Sequence, residues 1–158
     1  KDEMVGKIKA ALDARVDGQL AIIARTDALS VLGFDEAIER ANAYKEAGAH
    51  AIFVEAPTTL EQLQRITREV PGIPHIINLV EGGKTPLVSR TQAAEMGFQV
   101  MLTANTALRG AIKGASEALR MLYKDESQEN VHSLICSWEE RQNLFKLHEI
   151  QQKEKIYS

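Results

Sequence analysis

The segment "IIARTDALS", residues 22–30, decides how the rest of the chain is interpreted. Its first part continues the apolar run "LAIIA", which is short, bounded by turn residues and typical of a buried strand. The run ends at Arg25, and Thr26 and Asp27 follow it directly. The segment therefore predicts a buried strand that delivers a guanidinium and a carboxylate to its carboxyl end.

The same alternation of a helix and a short apolar run is found along most of the chain. The predicted strands are residues 20–24, 51–55, 75–79 and 98–103. Helical spacing of apolar residues predicts helices that begin near Met4, Asp35, Thr59, Ser89 and Thr106. Thr59 and Ser89 are each followed three residues later by a glutamine, which is the pattern of a capping box. Because parallel neighbours need a crossover, usually a helix, this order predicts an α/β fold with a parallel sheet.

Each predicted strand ends in polar residues. The four ends carry Arg25-Thr26-Asp27, Glu55, Asn78 to Glu81, and Thr103-Ala104-Asn105. Ligands of parallel α/β proteins bind at this edge of the sheet. An arginine there can hold a carboxylate or phosphonate, and glutamate or asparagine can hold hydroxyls or metal-bound waters. Alternatively, Arg25 and Asp27 form a structural ion pair and Glu55 caps a neighbouring helix, and spacing alone favours neither interpretation.

Charge and composition exclude several classes of protein. The net charge of −3 and the lack of a block rich in lysine or arginine argue against a nucleic-acid partner. No apolar run approaches the roughly 20 residues of a membrane span, and the first residues do not resemble a signal peptide. The single cysteine, Cys136, cannot form an internal disulfide. These features predict a cytoplasmic protein with one soluble core and no membrane partner.

Four motifs occur in a specific order, namely "IIARTDA", "FVEAP", "NLVEGGKTP" and "TALRGAIKGA". Together they resemble the isocitrate lyase and phosphoenolpyruvate mutase superfamily, in the branch of the methylisocitrate lyases and carboxyphosphonoenolpyruvate phosphonomutase-like proteins. The resemblance covers roughly residues 4–122. It implies a (β/α)8 TIM barrel that cleaves or forms a bond next to a 2-oxo acid, or moves a phosphorus group, around a Mg2+-bound enolate of pyruvate.

The resemblance also implies that only half of the barrel is present. Four strands can be counted, whereas a full barrel typically needs about 250 residues. In the family the four matched segments form strands 5–8, and the Mg2+-binding aspartates and two further active-site loops lie on strands 1–4. Residues 1–125 are therefore expected to be the carboxyl-terminal half of the barrel, and residues 126–158 a carboxyl-terminal helical segment. Implied partners are the missing amino-terminal half and further copies in a dimer of dimers, with the Trp138 helix exchanged between subunits.

Individual roles follow from the same resemblance. Arg25 would bind the carboxylate or phosphonate of the substrate, and Glu55 would lie near Mg2+ and its waters, so both are predicted catalytic residues. The predicted substrate contacts are Arg25, Glu55, Asn78, Leu79, Val80 and Arg109. The metal's own ligands are expected outside this chain, with Glu55 contributing through water.

The predicted function is a Mg2+-dependent lyase that cleaves a carbon–carbon bond of a 2-hydroxy or 2-oxo di- or tricarboxylate. The alternatives are a phosphonomutase, an enzyme related to oxaloacetate decarboxylases, a non-catalytic fragment or pseudoenzyme, and a small α/β module that binds an organic anion. Asn105 stands where several relatives carry leucine or histidine, which argues against methylisocitrate as the substrate.

Several other residues receive structural interpretations. His75, inside an apolar strand, is predicted to be a hydrogen-bonded core histidine rather than a metal ligand. "EGGK", residues 81–84, lacks the spacing of a P-loop and is predicted to be a mobile loop over the site. Cys136 is interpreted as a small apolar residue. The last segment is predicted to be one amphipathic helix carrying Leu134, Trp138, Phe145 and Ile150.

Overall fold

The structure, a computed structural model, describes residues 1–157. The chain forms two compact units, one of residues Lys1–Thr106 and a second that begins at Ala107. The sequence instead predicted that the half barrel ends at residue 125 and that a helical segment begins at residue 126, and this division stays a prediction.

The first unit alternates helices and strands around a four-stranded sheet. Its elements are α1 (Asp2–Asp13), β1 (Ile23–Thr26), α2 (Leu29–Leu32), α3 (Phe34–Glu46), β2 (Ala51–Val54), α4 (Leu60–Glu69), β3 (His75–Leu79), α5 (Arg90–Glu95), β4 (Val100–Thr103) and the first residue of α6 (Thr106–Asp125). The strands lie in the order β1-β2-β3-β4, and every neighbouring pair is parallel. The predicted α/β fold with a parallel sheet is confirmed.

Two of the predicted helix starts carry side-chain caps. At α5, the Gln92 N–H donates to the Ser89 hydroxyl and the Ser89 N–H donates to Gln92 Oε1, which completes the predicted capping box. At α4, the Thr59 hydroxyl accepts from the Gln62 N–H at 3.1 Å. Gln62 Oε1, however, accepts from the N–H of Thr58 rather than from that of Thr59. The reciprocal hydrogen bond at α4 is therefore made by the residue before the cap, so the predicted capping box is incomplete.

One face of the sheet packs against the helices and forms most of the core. Along β1 the side chains alternate, so that Ala24 and Thr26 are buried while Ile23 and Arg25 belong to the opposite face. The larger cluster joins Ala24 and Ile52 to residues of α1, α3 and α4. A second cluster joins Ile77 and Leu79 to residues of α4 and α5 and to Phe98.

The opposite face of the sheet has a small buried centre and open margins. Its centre consists of Ala51, Phe53 and Ile76. Ile23 on β1 is 52% exposed and Leu102 on β4 is 40% exposed. Within residues 1–157, β1 and β4 each have only one strand neighbour. The sheet therefore has the open edges expected of half a barrel.

The first strand differs from its predicted bounds. It begins at Ile23 rather than Leu20, which is 61% exposed, and it continues through Thr26. The paired register starts at Ile23 beside Ala51, and the His50 N–H donates to the Ile22 carbonyl just before it at 2.8 Å. Arg25 is consequently a strand residue rather than the residue after the strand.

The second unit is helical, and its last segment is not one helix as predicted. A 3-10 helix (His132–Leu134) is followed by α7 (Trp138–Leu144) and α8 (Leu147–Tyr157). Ser137 and Glu140 form a capping box that starts a new helix at α7, and Lys146, with a φ of 53°, separates α7 from α8. Trp138 is exposed, and so is Cys136. No helix within residues 1–157 has both the length and the apolar character needed to cross a membrane.

His75 lies in the core, as predicted. Its Nε2 is 2.8 Å from the Val70 carbonyl oxygen, and its ring meets that of Phe98 edge-on. Because a carbonyl can only accept, Nε2 carries the hydrogen, and within the described residues Nδ1 has no hydrogen-bond partner. Burial lowers the pKa of His75, an effect that the hydrogen bond to Val70 opposes in part.

This lowered pKa predicts a loss of stability in mild acid. Below about pH 6.5 the unfolded chain gains a proton at His75 that the folded chain does not, so the free energy of unfolding falls with pH, by at most about 1.4 kcal/mol per unit. His75→Gln retains an N–H donor but does not titrate, and it should flatten urea-derived stability between pH 6.5 and 5. His148→Gln, at an exposed histidine, is the control. Equal slopes in the two variants would contradict this expectation.

Candidate functional site

A cleft of about 230 Å3 lies at the carboxyl ends of β2 and β3. It is lined by Ser30, Glu55, Ala56, Asn78, Val80, Gly83, Lys84 and Thr85. This volume lies below the range of about 300–1,000 Å3 typical of sites for drug-sized ligands. The cleft therefore suits a small polar molecule.

Glu55 follows β2 directly and has a constrained position. Its N–H donates to the Thr26 carbonyl at 2.9 Å, which extends the ladder by one residue. The next residue, Ala56, has a φ of 59°, a left-handed conformation that is costly for a residue other than glycine. Glu55 Oε2 is buried and accepts no hydrogen bond from residues 1–157, although it lies 3.3 Å from Arg25 Nη2. The carboxylate is thus held at the cleft with an unused acceptor.

Asn78 presents a second unused acceptor to the cleft. It lies in β3 beside Leu102 of β4, on the sheet face opposite the helix-packed core. Asn78 Oδ1 is buried and, like Glu55 Oε2, has no hydrogen-bond partner in the described part of the chain. A buried acceptor without a partner costs about 1–3 kcal/mol. Two of them in one cleft indicate a ligand that supplies hydrogen-bond donors.

Arg25 is held by Asp27. Arg25 Nη2 lies 2.6 Å from Asp27 Oδ1, and Arg25 Nε lies 3.1 Å from Oδ2. The guanidinium also lies 4.9 Å from the centre of the Phe53 ring. The hydrogen bond between the two side chains raises the pKa of Arg25 and lowers that of Asp27. Arg25 therefore does not line the cleft, and it reaches the site through its contact with Glu55.

The alternative interpretation, an Arg25–Asp27 ion pair with Glu55 as a helix cap, is observed only in part. The ion pair of Arg25 and Asp27 is present. Glu55, however, is not a helix cap, because the side-chain cap of the following helix, α4, is Thr59. The catalytic role of Arg25 and Glu55 stays a prediction.

The segment after β3 forms a tight turn beside the cleft. The Gly83 N–H donates to the Val80 carbonyl at 2.8 Å, and Gly82 has a φ of 78°. A Cβ atom on Gly83 would lie 2.9 Å from that carbonyl oxygen, so the turn excludes a side chain at this position. The predicted loop is thus located at the site, where it places Lys84 and Thr85 on the cleft wall. Its mobility stays a prediction.

The remaining predicted substrate contacts fall in three different places. Val80 lines the cleft. Leu79 packs in the core with Leu63 and Ala93, so its side chain points away from the cleft. Arg109 lies in α6 and belongs to the second unit, and its contact with substrate stays a prediction.

Three polar residues of the cleft, Ser30, Lys84 and Thr85, were not predicted as site residues from the sequence. Ser30 lies in α2, a single helical turn that the apolar pattern did not indicate, and its hydroxyl donates to the Asp27 carbonyl. Lys84 was treated only as part of a loop. The signal that could have identified Lys84 is the glycine pair before it, because two adjacent glycines predict a turn tight enough to place the next side chain.

The fold is that of an α/β protein with a small cleft where two parallel strands end. The family model of phosphoenolpyruvate phosphomutase matches residues 1–123 of the chain. The chain therefore belongs to the phosphoenolpyruvate mutase and isocitrate lyase superfamily, as its motifs predicted.

Three relatives illustrate the match. The chain is 39% identical to 2,3-dimethylmalate lyase of Eubacterium barkeri over all of this chain and 54% of the relative. A crystal structure of 2,3-dimethylmalate lyase superposes with a TM-score of 0.84 at 31% identity, over 98% of this chain and 54% of that one. Identity to 2-methylisocitrate lyase of Aeropyrum pernix is 36%, over 97% of this chain and 49% of the relative. Oxaloacetate acetylhydrolase in complex with the product oxalate gives a TM-score of 0.81 at 29% identity, over 98% and 53% of the two chains.

These proteins are similar to the chain over only part of their length. The chain spans about half the length of the curated relatives that it matches. The predicted half of a superfamily barrel is thus confirmed as a fold. That it is the carboxyl-terminal half rests on the order of the motifs and stays a prediction.

Proposed function

We propose that the chain forms part of a Mg2+-dependent lyase that cleaves a carbon–carbon bond of a 2-hydroxy or 2-oxo di- or tricarboxylate by way of a pyruvate-type enolate. The observation that supports this proposal is the pair of unused buried acceptors, Glu55 Oε2 and Asn78 Oδ1, at one small cleft. Natural cores rarely leave such atoms without partners, so a ligand with donors is the simplest reason for their retention.

Glu55 and Asn78 suit a hydrated Mg2+ ion that they contact through its waters rather than directly. The ion prefers oxygen and usually keeps several waters, and a carboxylate and an amide oxygen can accept hydrogen bonds from such waters. Within residues 1–157 no three histidine, cysteine, aspartate or glutamate side chains are grouped closely enough to hold a metal. Glu55 and Asn78 would therefore orient the hydrated ion, and its direct ligands would come from outside the described residues. When bound, the ion would supply Lewis-acid stabilisation to the oxo group of the substrate.

The chain's own residues would bind and orient the substrate. Asn78 Oδ1 can accept a hydrogen bond from a substrate hydroxyl, while its amide N–H groups can donate to a carboxylate. Arg25, although paired with Asp27, lies 3.3 Å from Glu55 Oε2 and would help to hold that carboxylate in position. Arg109 would add a further contact to the anionic end of the substrate.

The proposal includes a partner for the open sheet. Residues 1–125 would be the carboxyl-terminal half of a barrel whose other half pairs with β1 and β4. The half-exposed Ile23 and Leu102 and the unpaired edges support it, because exposed strand edges invite pairing. Residues 126–158 would mediate subunit contacts in a homo-oligomer, a dimer of dimers, with the Trp138 helix exchanged. Location in the cytoplasm stays a prediction.

Phosphoryl transfer is the second candidate reaction, and the description of the matching family model favours it. The two reactions differ in their products. The native polypeptide that contains residues 1–158 should be incubated with 2,3-dimethylmalate, 2-methylisocitrate, oxaloacetate and phosphonopyruvate, and the products separated by chromatography. Cleavage of a dicarboxylate or tricarboxylate supports the lyase, and isomerisation of phosphonopyruvate alone would replace it by the mutase. No turnover of any of the four would contradict both.

Arg25→Lys should lower kcat/KM by about tenfold or more in that assay. An ammonium cannot reproduce the two-atom contact with Asp27 or the position over Phe53, so Glu55 would lose a fixed neighbour. Arg68→Lys, at an arginine of α4 whose side chain is 70% exposed, is the matched control. A change below about threefold in Arg25→Lys would assign Arg25 a purely structural role.

A further inference from the structure

Lys84 is the one cationic side chain among the described residues that line the cleft. Arg25, which the family resemblance implies as an anion-binding residue, is hydrogen-bonded to Asp27 at 2.6 and 3.1 Å. The structure gives Lys84 no ion pair with any of residues 1–157. The positive charge available to a ligand in this cleft is therefore that of Lys84.

The turn before Lys84 is built in a way that fixes its position. Gly82 adopts a left-handed conformation, and Gly83 approaches the Val80 carbonyl too closely to carry a side chain. The conformation of Gly82 favours glycine and the close approach at Gly83 requires it, and together they turn the chain from the end of β3 toward the cleft. Lys84 and Thr85 are consequently presented by a defined turn.

The cleft has two chemically different sets of groups. Glu55 Oε2 and Asn78 Oδ1 accept no hydrogen bond from the described residues, whereas the Lys84 ammonium and the Thr85 hydroxyl can donate. A ligand that fits both sets carries an anionic group and, separately, hydrogen-bond donors or a hydrated cation.

We propose that Lys84 is a further substrate-binding residue, which pairs with a carboxylate or phosphonate of the ligand while Glu55 and Asn78 accept its donors. This inference rests on the proposed function, because it specifies how the same site recognises an anion. Lys84 would then contribute to specificity for acidic substrates, beside any contact that Arg25 makes with the ligand.

The test is the binding of oxalate, a small dianion, to the native polypeptide that contains residues 1–158, measured by isothermal titration calorimetry with Mg2+ present. Lys84→Ala should weaken oxalate binding by about tenfold or more, since a hydrogen bond to a charged group is lost. Lys84→Arg keeps the charge and should recover binding to within about threefold. Lys9→Ala, which removes an exposed lysine of α1, is the control for net charge and should leave binding unchanged.

The possible results distinguish failure of the Lys84 proposal from failure of the proposed lyase function. If Lys84→Ala and Lys9→Ala bind oxalate equally well, or if the unmodified protein binds none, the role of Lys84 is overturned. If Lys84→Ala weakens binding but no substrate is cleaved, the anion site stands and the lyase function fails. Thermal unfolding of each variant verifies that the fold is retained.

Discussion

Removal of divalent metal is expected to reduce turnover to background. Incubation with EDTA should abolish product formation, and added Mg2+ should restore it, because the proposed reaction needs a hard cation at the oxo group of the substrate. Glu55 and Asn78 can orient such an ion, but one carboxylate cannot hold it against a chelator, so exchange should be rapid. The measurement is the initial rate against free Mg2+ concentration.

Two controls make the metal experiment specific. EDTA saturated with Mg2+ beforehand should have no effect, which separates chelation from inhibition by the chelator itself. Thermal unfolding in EDTA should be nearly unchanged for residues 1–157, because they contain no grouped set of metal-binding side chains. Full activity in excess chelator would remove Mg2+ from the mechanism.

Glu55→Gln is expected to lower kcat by about 10- to 100-fold. Groups that contact a metal's ligands or waters typically contribute this much, and glutamine preserves the shape of the side chain while removing its charge. The variant should also need more Mg2+ for half-maximal rate. Glu95→Gln, at an exposed glutamate of α5, is the matched control and should retain full activity.

The stability of Glu55→Gln distinguishes a functional carboxylate from a structural one. Glu55 Oε2 accepts no hydrogen bond within the described residues, and Arg25, which lies 3.3 Å away, is already paired with Asp27. We therefore expect the melting temperature to stay equal or rise. A structural ion pair with Arg25 would give the opposite pattern, namely a lower melting temperature with activity unchanged.

The sequence predicted the fold because its local signals agree with one another. The four apolar runs are short and regularly interrupted, and the caps at Thr59 and Ser89 fall where the helices begin. His75 was correctly assigned to the core, since a histidine inside an apolar strand has no route to solvent. The end of the chain was predicted less well. A capping box at Ser137 and a left-handed Lys146 divide the expected single helix, and both signals are local turns that apolar periodicity does not register.

The sequence also predicted three of the residues that line the cleft, Glu55, Asn78 and Val80. Parallel strands place their carboxyl ends at one edge, so Glu55 and Asn78 could be expected to meet before any coordinates were known. Burial of the neighbouring Leu79 follows from the alternation of side chains along β3, although the motif resemblance grouped it with the substrate contacts.

What the sequence determined by itself is the set of groups at the strand ends, because chain order and strand direction are properties of the local pattern. What only the tertiary structure decided is which of those groups are still available to a ligand. The folded chain places Asp27 at 2.6 Å from the Arg25 guanidinium, and the contact of Arg25 with an anion stays a prediction. Lys84, an inconspicuous loop residue in the sequence, lines the cleft because the close approach of Gly83 to the Val80 carbonyl turns the chain toward it. Availability also depends on distances between different strands, such as the 3.3 Å that separates Arg25 Nη2 from Glu55 Oε2, and these are set only when the strands and turns pack together.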